Sequence, residues 1–333
     1  MNHQIAVVTG GAGFIGSHMV DLLLAQGYEV RVIDNLLGGH EKNFIQHANN
    51  PNFHFEQLDI LKLQPDSVLF KQAQYVFHFA GIGDIVPSIE EPLRYMETNV
   101  LGTVHVLQAA RAAKVKKLVY AASSSCYGLA ATPTNELHCI NPQYPYALSK
   151  YQGECAAFHW NQVYRLPVNS VRIFNAYGTR VRTTGAYGAV FGVFLKQKLL
   201  KKPYTVVGDG TQSRDFLYVT DVANAFLAAA ETDLVGKVWN IGAGKPQSIN
   251  YLVDLLSADS TYSIDYLPRR PGEPECTWAD LTKITTELGW HPEVMFADGV
   301  QKMLAEIHHW QDAPLWDKGS IATATETWFE YLS

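Results

Sequence analysis

Tyr146 and Lys150 stand four residues apart in Tyr146-Ala-Leu-Ser-Lys150, a spacing that puts a phenol and an ammonium on one face of a helix. An ammonium beside a phenol stabilises the phenolate and lowers a pKa that is otherwise about 10. Tyr146 is then a usable general base near neutral pH. The pattern is common on exposed helices, and what gives it weight is Ser123-Ser124-Ser125, directly after a strand-like stretch at 117–121. Parallel α/β sheets hold their ligands at the carboxyl ends of the strands. A hydroxyl there can bond a reacting oxygen and pass a proton to Tyr146. Ser124 and Ser125 read equally well as members of this group or as a polar turn.

A second group lies near the N-terminus. Thr9-Gly10-Gly11-Ala12-Gly13-Phe14-Ile15-Gly16 follows an apolar stretch at 5–9 and opens a segment of helical period. Glycines at 10, 13 and 16 allow a tight turn, a close approach of backbone to a pyrophosphate, and close seating of helix on sheet. The helix N-terminus turns free N–H groups and partial positive charge toward the phosphates. Asp34 ends the next strand-like run, 18 residues after Gly16. A carboxylate there accepts both ribose hydroxyls and repels a 2′-phosphate, so the expected cofactor is NAD. Asp59-Ile60 closes the third run, where Asp59 either faces the adenine amino group or caps a helix.

The elements that must hold these groups alternate. Runs at 5–9, 29–33, 53–58, 75–79, 117–121 and 168–174 read as strands, and segments at 16–26, 99–113 and 147–164 as helices. This rhythm predicts an α/β fold with a doubly wound parallel sheet of the Rossmann type. After about residue 175 it changes: 177–188 is dense in Gly, Thr, Arg and Tyr and reads as a loop lining a site. The expected division is 1–175 as the cofactor domain, its sheet completed by later segments, and 176–333 as a smaller α/β, mainly substrate-binding portion. The segment 308–333 carries Trp310, Trp316, Trp328 and Tyr331 and is expected to dock on the body.

Composition sets the outer limits. The 333 residues are 47% hydrophobic and 17% charged with a net charge of -6, a globular balance that disfavours nucleic acid or an anionic membrane as partner. No stretch approaches the roughly 18 apolar residues of a membrane span. The expected setting is cytoplasmic. Cys126, Cys139, Cys155 and Cys276 show no CxxC pairing, so neither a disulfide framework nor a structural metal is indicated.

With these motifs in place the chain resembles the extended short-chain dehydrogenases/reductases of the NAD-dependent nucleotide-sugar epimerase/dehydratase kind, nearest the UDP-sugar 4-epimerases. The resemblance runs from about residue 5 to 305. It is carried by the Gly10–Gly16 loop, Asp34-Asn35, Asp59-Ile60, His78-Phe79-Ala80-Gly81, Asn99, the serine run, Tyr146-x-x-x-Lys150 and Arg172-Ile-Phe-Asn-Ala-Tyr-Gly178. Later come Gly208-Asp-Gly-Thr-Gln-Ser-Arg214-Asp-Phe and Arg270-Pro-Gly272. The resemblance implies that Ser123, Tyr146 and Lys150 are the catalytic trio. It implies that Phe14, Ile15, Asn35, Ile60, Phe79, Ala80, Gly81, Asn99 and Phe174 belong to the cofactor pocket. Asn175, Arg214 and Arg270 are implied to grip a substrate diphosphate, with Ser124 and Arg182 also on the substrate side. Two guanidinium groups suit phosphate oxygens and would make a local cationic pocket on an acidic protein.

Related dehydratases carry an Asp-Glu pair after the catalytic hydroxyl, where this chain has Ser124 and Ser125. Water elimination needs an acid and a base there, which favours C4 epimerisation of a UDP-hexose, its N-acetylated form or its uronate. The alternatives are an epimerase or reductase for a GDP-, CDP- or dTDP-sugar, and a non-catalytic NAD-sensing regulator. Ile82-Gly83-Asp84 departs from one epimerase branch, which has a lysine after His-Phe-Ala-Gly. Thr277 is small enough to leave hexose and N-acetylhexosamine both open. The resemblance also implies a homodimer, formed through the helices expected at 99–113 and 147–164.

Overall fold

Strands that are apolar on both faces can be satisfied only inside a sheet covered on both sides. Here β1 (Ile5–Thr9), β4 (Tyr75–His78) and most of β5 (Lys117–Ser123) are buried along their length. In the computed structural model, which describes residues 4–182, 190–258 and 261–332, they lie at the centre of a seven-stranded sheet. The other strands of that sheet are β2 (Glu29–Asp34), β3 (Phe53–Gln57), β6 (Val168–Ile173) and one that arrives much later in the chain. Between β6 and that last strand come four short strands, β7 (Asn175–Tyr177), β8 (Tyr204–Val207), β9 (Ser213–Arg214) and β10 (Phe216–Tyr218). The late strand is β11 (Val238–Ile241), and β12 (Gln247–Ser248) and β13 (Ile264–Leu267) follow it.

The order across the large sheet is β11-β6-β5-β4-β1-β2-β3, and every neighbouring pair is parallel. Chain order reverses between β1 and β4, which opens a crevice at their carboxyl ends. One face is covered by α1 (Phe14–Ala25) and, much later, α7 (Val219–Glu231), packed through Met19, Leu23, Phe226 and Trp239. The other face is covered by α4 (Gly102–Ala112) and α5 (Pro145–Tyr164), through Val106, Leu107, Ala110 and Ala157. Before α4 come α2 (Ile85–Glu90), α3 (Pro92–Met96) and a π-helical turn at Glu97–Leu101. The start of the helix expected at 99–113 is therefore wound with the wider pitch, and Asn99 sits in that turn.

A third core gathers Tyr177, Phe191, Phe216, Phe296 and Trp310. It is built from α6 (Val190–Leu199), α8 (Ile249–Leu256) and α10 (Phe296–Ala305), with α9 (Thr282–Leu288) packing on β11 instead. The tail adds α11 (Lys318–Ala324) and α12 (Glu326–Leu332). It is docked as expected at Trp310 and Trp328, which are buried, whereas Tyr331 is exposed.

Two buried carboxylates join the parts. Glu154 on α5 accepts from Arg172 Nε on β6 and from the Ser170 hydroxyl, each at 3.0 Å. Arg172 Nη1 donates to the Tyr127 hydroxyl, which donates to Asn240 Oδ1 on β11, both at 2.7 Å. Asp215, between β9 and β10, accepts the backbone N–H groups of Ala243 at 2.6 Å, Gly244 at 3.0 Å and Ala279 at 2.9 Å. Among the described residues no helix is long and apolar enough to cross a membrane, and no cluster of His, Cys, Asp or Glu has metal-binding geometry.

Candidate active site

The first turn after β1 explains its own sequence. Gly10 has φ +74°, and a Cβ there would lie 2.6 Å from the Ala80 nitrogen, so β1 and β4 can end side by side only with glycine at this position. A Cβ on Gly16 would overlap the Gly10 carbonyl, so α1 can start this close to the strand only without one. Gly13 precedes α1; no side chain caps that helix, and its first turn holds no acidic residue. The first N–H groups and the positive end of the helix are thus left for an anion.

Asp34, at the end of β2, is buried and accepts from the Ala12 N–H at 3.0 Å and the Leu36 N–H at 2.8 Å, one on each oxygen. Burial raises its pKa, and these two N–H groups pull it back. Each oxygen keeps a lone pair for a further donor, as a ribose diol requires. Asp59 caps a short turn as expected, accepting the Leu61 N–H at 2.9 Å, and it also borders the cavity, where Asn35 Nδ2 donates to it at 3.0 Å.

These residues line a cavity of about 710 Å³ along the carboxyl ends of β2, β1, β4 and β5. From the expected cofactor set it brings together Gly10, Gly13, Phe14, Ile15, Gly16, Asp34, Asn35, Asp59, Ile60, Phe79, Ala80, Gly81 and Phe174. The same cavity is lined by Ser123, Tyr146, Lys150 and Arg182. The uncapped helix end and the carboxylates of Asp34 and Asp59 along this wall fit a dinucleotide such as NAD.

Asn99 is not on the cavity wall. It is 1% exposed and fully engaged: Oδ1 accepts from the Ile82 N–H at 2.8 Å, and Nδ2 donates to the Ile82 carbonyl at 3.0 Å and to the Ser149 hydroxyl at 2.9 Å. It holds the chain beyond β4 against α5. His78 does similar work, bonded to Thr9 at 2.7 Å and Thr103 at 2.9 Å. Burial, and then the Lys150 charge, push its pKa down to about 3, so it is a neutral strut.

Tyr146 opens α5, with Lys150 one turn on. Several neighbours act on the Tyr146 phenol. Burial raises the Tyr146 pKa, a hydrogen bond with Ser123 pulls it down, and the Asp84 charge raises it further. The Lys150 ammonium lies 4.6 Å from the centre of the Tyr120 ring, held deep on α5. Burial depresses its own pKa to about 8, opposed by Glu154. Ser123 Oγ accepts from the Ser125 hydroxyl at 2.8 Å and from the Ser125 N–H at 3.2 Å, which leaves its own proton for Tyr146. Ser124 does not line the cavity; it belongs to the turn at Ser124–Tyr127.

The expected diphosphate groups stand apart from this cavity. Asn175 Oδ1 accepts from the Thr277 hydroxyl at 2.6 Å. Arg214 donates to Glu273 at 2.8 Å, and Arg270 lies 3.8 Å from the other oxygen of the same carboxylate. Tyr144 joins the two groups: it stacks on Tyr146 with ring centres 6.4 Å apart, and its phenol feels the charges of Tyr146, Glu273 and Arg214. Most of the Gly/Thr-rich loop expected at 179–188 lies outside the described residues.

One wall went unassigned in the sequence. Ile82, Gly83, Asp84, Tyr95 and Thr98 line the cavity, with Asp84 at φ +82° and ion-paired across it to Arg182. The Tyr95 hydroxyl donates to the Gly83 carbonyl. The departure at Ile82-Gly83-Asp84 was the signal available for this wall.

Comparison with known proteins agrees with the geometry. The family model described as the NAD dependent epimerase/dehydratase family matches residues 6–242. A putative UDP-glucose 4-epimerase of Methanocaldococcus jannaschii is 36% identical over 303 residues, covering 90% of this chain and 96% of that protein. The structure is similar to a UDP-N-acetylglucosamine 4-epimerase from Methanobrevibacter ruminantium M1 in complex with UDP-N-acetylmuramic acid (TM-score 0.86, 32% identity, covering 92% of this chain and 100% of that one). It is equally similar to a UDP-glucuronic acid 4-epimerase from Bacillus cereus in complex with UDP-glucuronic acid and NAD (TM-score 0.86, 32% identity, 92% and 99%).

Proposed function

Because this chain belongs to the NAD-dependent epimerase/dehydratase family, we propose that it inverts the C4 centre of a UDP-linked hexose, with Tyr146 as the base. NAD, held at the Gly10–Gly16 turn and by Asp34, supplies the reversible oxidant for C4. Tyr146 removes the proton of the 4-hydroxyl and returns it after the sugar has turned over. Ser123, whose proton is aimed at Tyr146 by the two bonds it accepts from Ser125, holds the same oxygen and shortens the path. Lys150, as a cation beneath the site, favours the phenolate through the field it sets in a dry pocket. Arg214, Arg270 and Asn175 take the diphosphate, and the portion of the chain after residue 175 supplies most of the substrate contacts.

The observation that carries this reading is the meeting of Ser123, Tyr146 and Lys150 in the same cavity as the glycine turn and Asp34. Elimination or decarboxylation is disfavoured because hydroxyls, which are poor proton donors and acceptors near neutral pH, follow Ser123. The exposed Leu101, Leu148, Val163 and Tyr164 on and beside α4 and α5 support a homodimer through these helices.

The test is incubation of purified protein with UDP-glucose, UDP-N-acetylglucosamine and UDP-glucuronate, without added NAD, followed by NMR of the C4 configuration. Epimer from at least one is expected. Tyr146→Phe should lower turnover by about 10²–10⁴-fold. Product from a GDP-, CDP- or dTDP-sugar alone would transfer the reading to that nucleotide, and consumption of NADH in step with product would make the enzyme a reductase.

A further inference from the structure

The C-terminal helix pair does more than cover apolar surface. Trp328 on α12 is buried, its Nε1–H donates to the Pro271 carbonyl at 2.8 Å, and the Arg270 guanidinium lies 5.5 Å from its ring centre. At the other side of α12, the Thr327 hydroxyl donates to Glu90 at 3.1 Å, and α12 packs along α2. That helix follows directly on Asp84 in the cavity wall. The tail thus spans from the rim of the cavity to the turn at 270–273, which has little regular structure of its own. That turn is also held by the contacts of Arg214 and Arg270 to Glu273 and by exposed pairs of Arg269 with Asp209 at 3.2 Å and with Glu275. Exposed pairs of this kind fix little. A ring packed on a guanidinium in a buried slot attracts the cation to its face and constrains the cation's plane.

We propose that Trp328 is a positioning residue for Arg270, its ring face fixing the guanidinium in the orientation that grips the substrate diphosphate. The tail thereby sets affinity for the nucleotide sugar without taking part in proton transfer. This rests on the assignment of Arg270 to the diphosphate. Tail and substrate loop are far apart in sequence, and the ring contact is what makes one control the other.

The experiment uses full-length enzyme loaded with NAD, with KM and kcat for the active nucleotide sugar and the Kd of UDP by calorimetry. Trp328→Ala is expected to raise KM and the UDP Kd about thirtyfold, the size of a lost desolvated cation–π contact, with kcat within about twofold. Trp328→Phe keeps an aromatic face in the slot and guards against loss of fold; it should restore most of the affinity. In an Arg270→Ala background, Trp328→Ala should add nothing. Unchanged UDP affinity in Trp328→Ala, a Phe variant as weak as Ala, or full additivity with Arg270→Ala would each overturn the proposal while leaving the diphosphate assignment standing. An Arg270→Ala protein that binds UDP as tightly as wild type would remove that assignment, and the proposal with it.

Discussion

At the scale of single residues, burial acts in opposite directions on the two titratable groups of the proposed site, because one is charged when deprotonated and the other when protonated. Tyr146 is raised by burial and relieved by Ser123, while Lys150 is depressed to about 8. The proposed reaction needs the phenol deprotonated and the lysine protonated. Below about pH 8, each rise in pH adds phenolate while the lysine stays charged, so activity climbs. Between about pH 8 and the raised Tyr146 value, the gain in phenolate is cancelled by loss of the ammonium, so activity levels off. We expect kcat/KM of the wild type to rise and flatten near pH 8. Lys150→Met, slower by about 10²-fold or more, should keep rising beyond that point. A variant profile that also flattens at pH 8 would assign the break to another group. The Tyr-Lys spacing was readable in the sequence, and both side chains line the cavity. What the spacing did not show is that the ammonium also lies over the Tyr120 ring, 4.6 Å from its centre.

At the scale of elements, the decisive contacts are backbone on backbone. The β1–α1 turn functions because Gly10 and Gly16 permit approaches that any Cβ would block. Gly16→Ala should therefore cost about 1–3 kcal/mol in overpacking and abolish NAD binding. Both are measurable, as a lower Tm and as loss of the NAD titration signal. An alanine variant with normal Tm and NAD affinity would show that the turn relaxes elsewhere. This motif was legible because three glycines at fixed spacing have few other uses between a strand and a helix. The π turn at Glu97–Leu101 was not legible, since its residues have no distinctive pattern. It places Asn99 as a clamp on Ile82, which is why a residue expected in the cofactor pocket stands behind its wall.

At the scale of the whole molecule, the chain crosses between sheet and smaller portion more than once, and Asp215 is where the crossings are tied. It holds Ala243 and Gly244, just beyond β11, and Ala279, before α9. Burial pushes its carboxyl up to about 6, against the N–H groups of Ala279, Ala243 and Gly244, which lower it. A carboxyl whose folded pKa exceeds its unfolded value of 3.8 gives stability that is fully present below that value and lost as pH rises through about 6. Asp215→Asn removes this titration. The Tm advantage of wild type over Asp215→Asn should therefore be larger at pH 4 than at pH 7. An advantage that stays constant across that window would show that the carboxyl titrates alike in folded and unfolded chains.

The sequence by itself determined the sheet, the glycine turn, the cofactor and the residues proposed as the catalytic trio, because each depends on local spacing: apolar runs, glycines, and a tyrosine one helical turn from a lysine. It also marked Ile82-Gly83-Asp84 as unusual without saying why. Only the tertiary structure decided that Asp84 faces Arg182 across the cavity, that Arg214 and Arg270 converge on Glu273, and that Trp328 reaches Arg270. Those pairs are 98, 59 and 58 residues apart for the first, second and last. Contacts over such separations are set by how packed elements close on one another, and no local pattern of residue types encodes that closure.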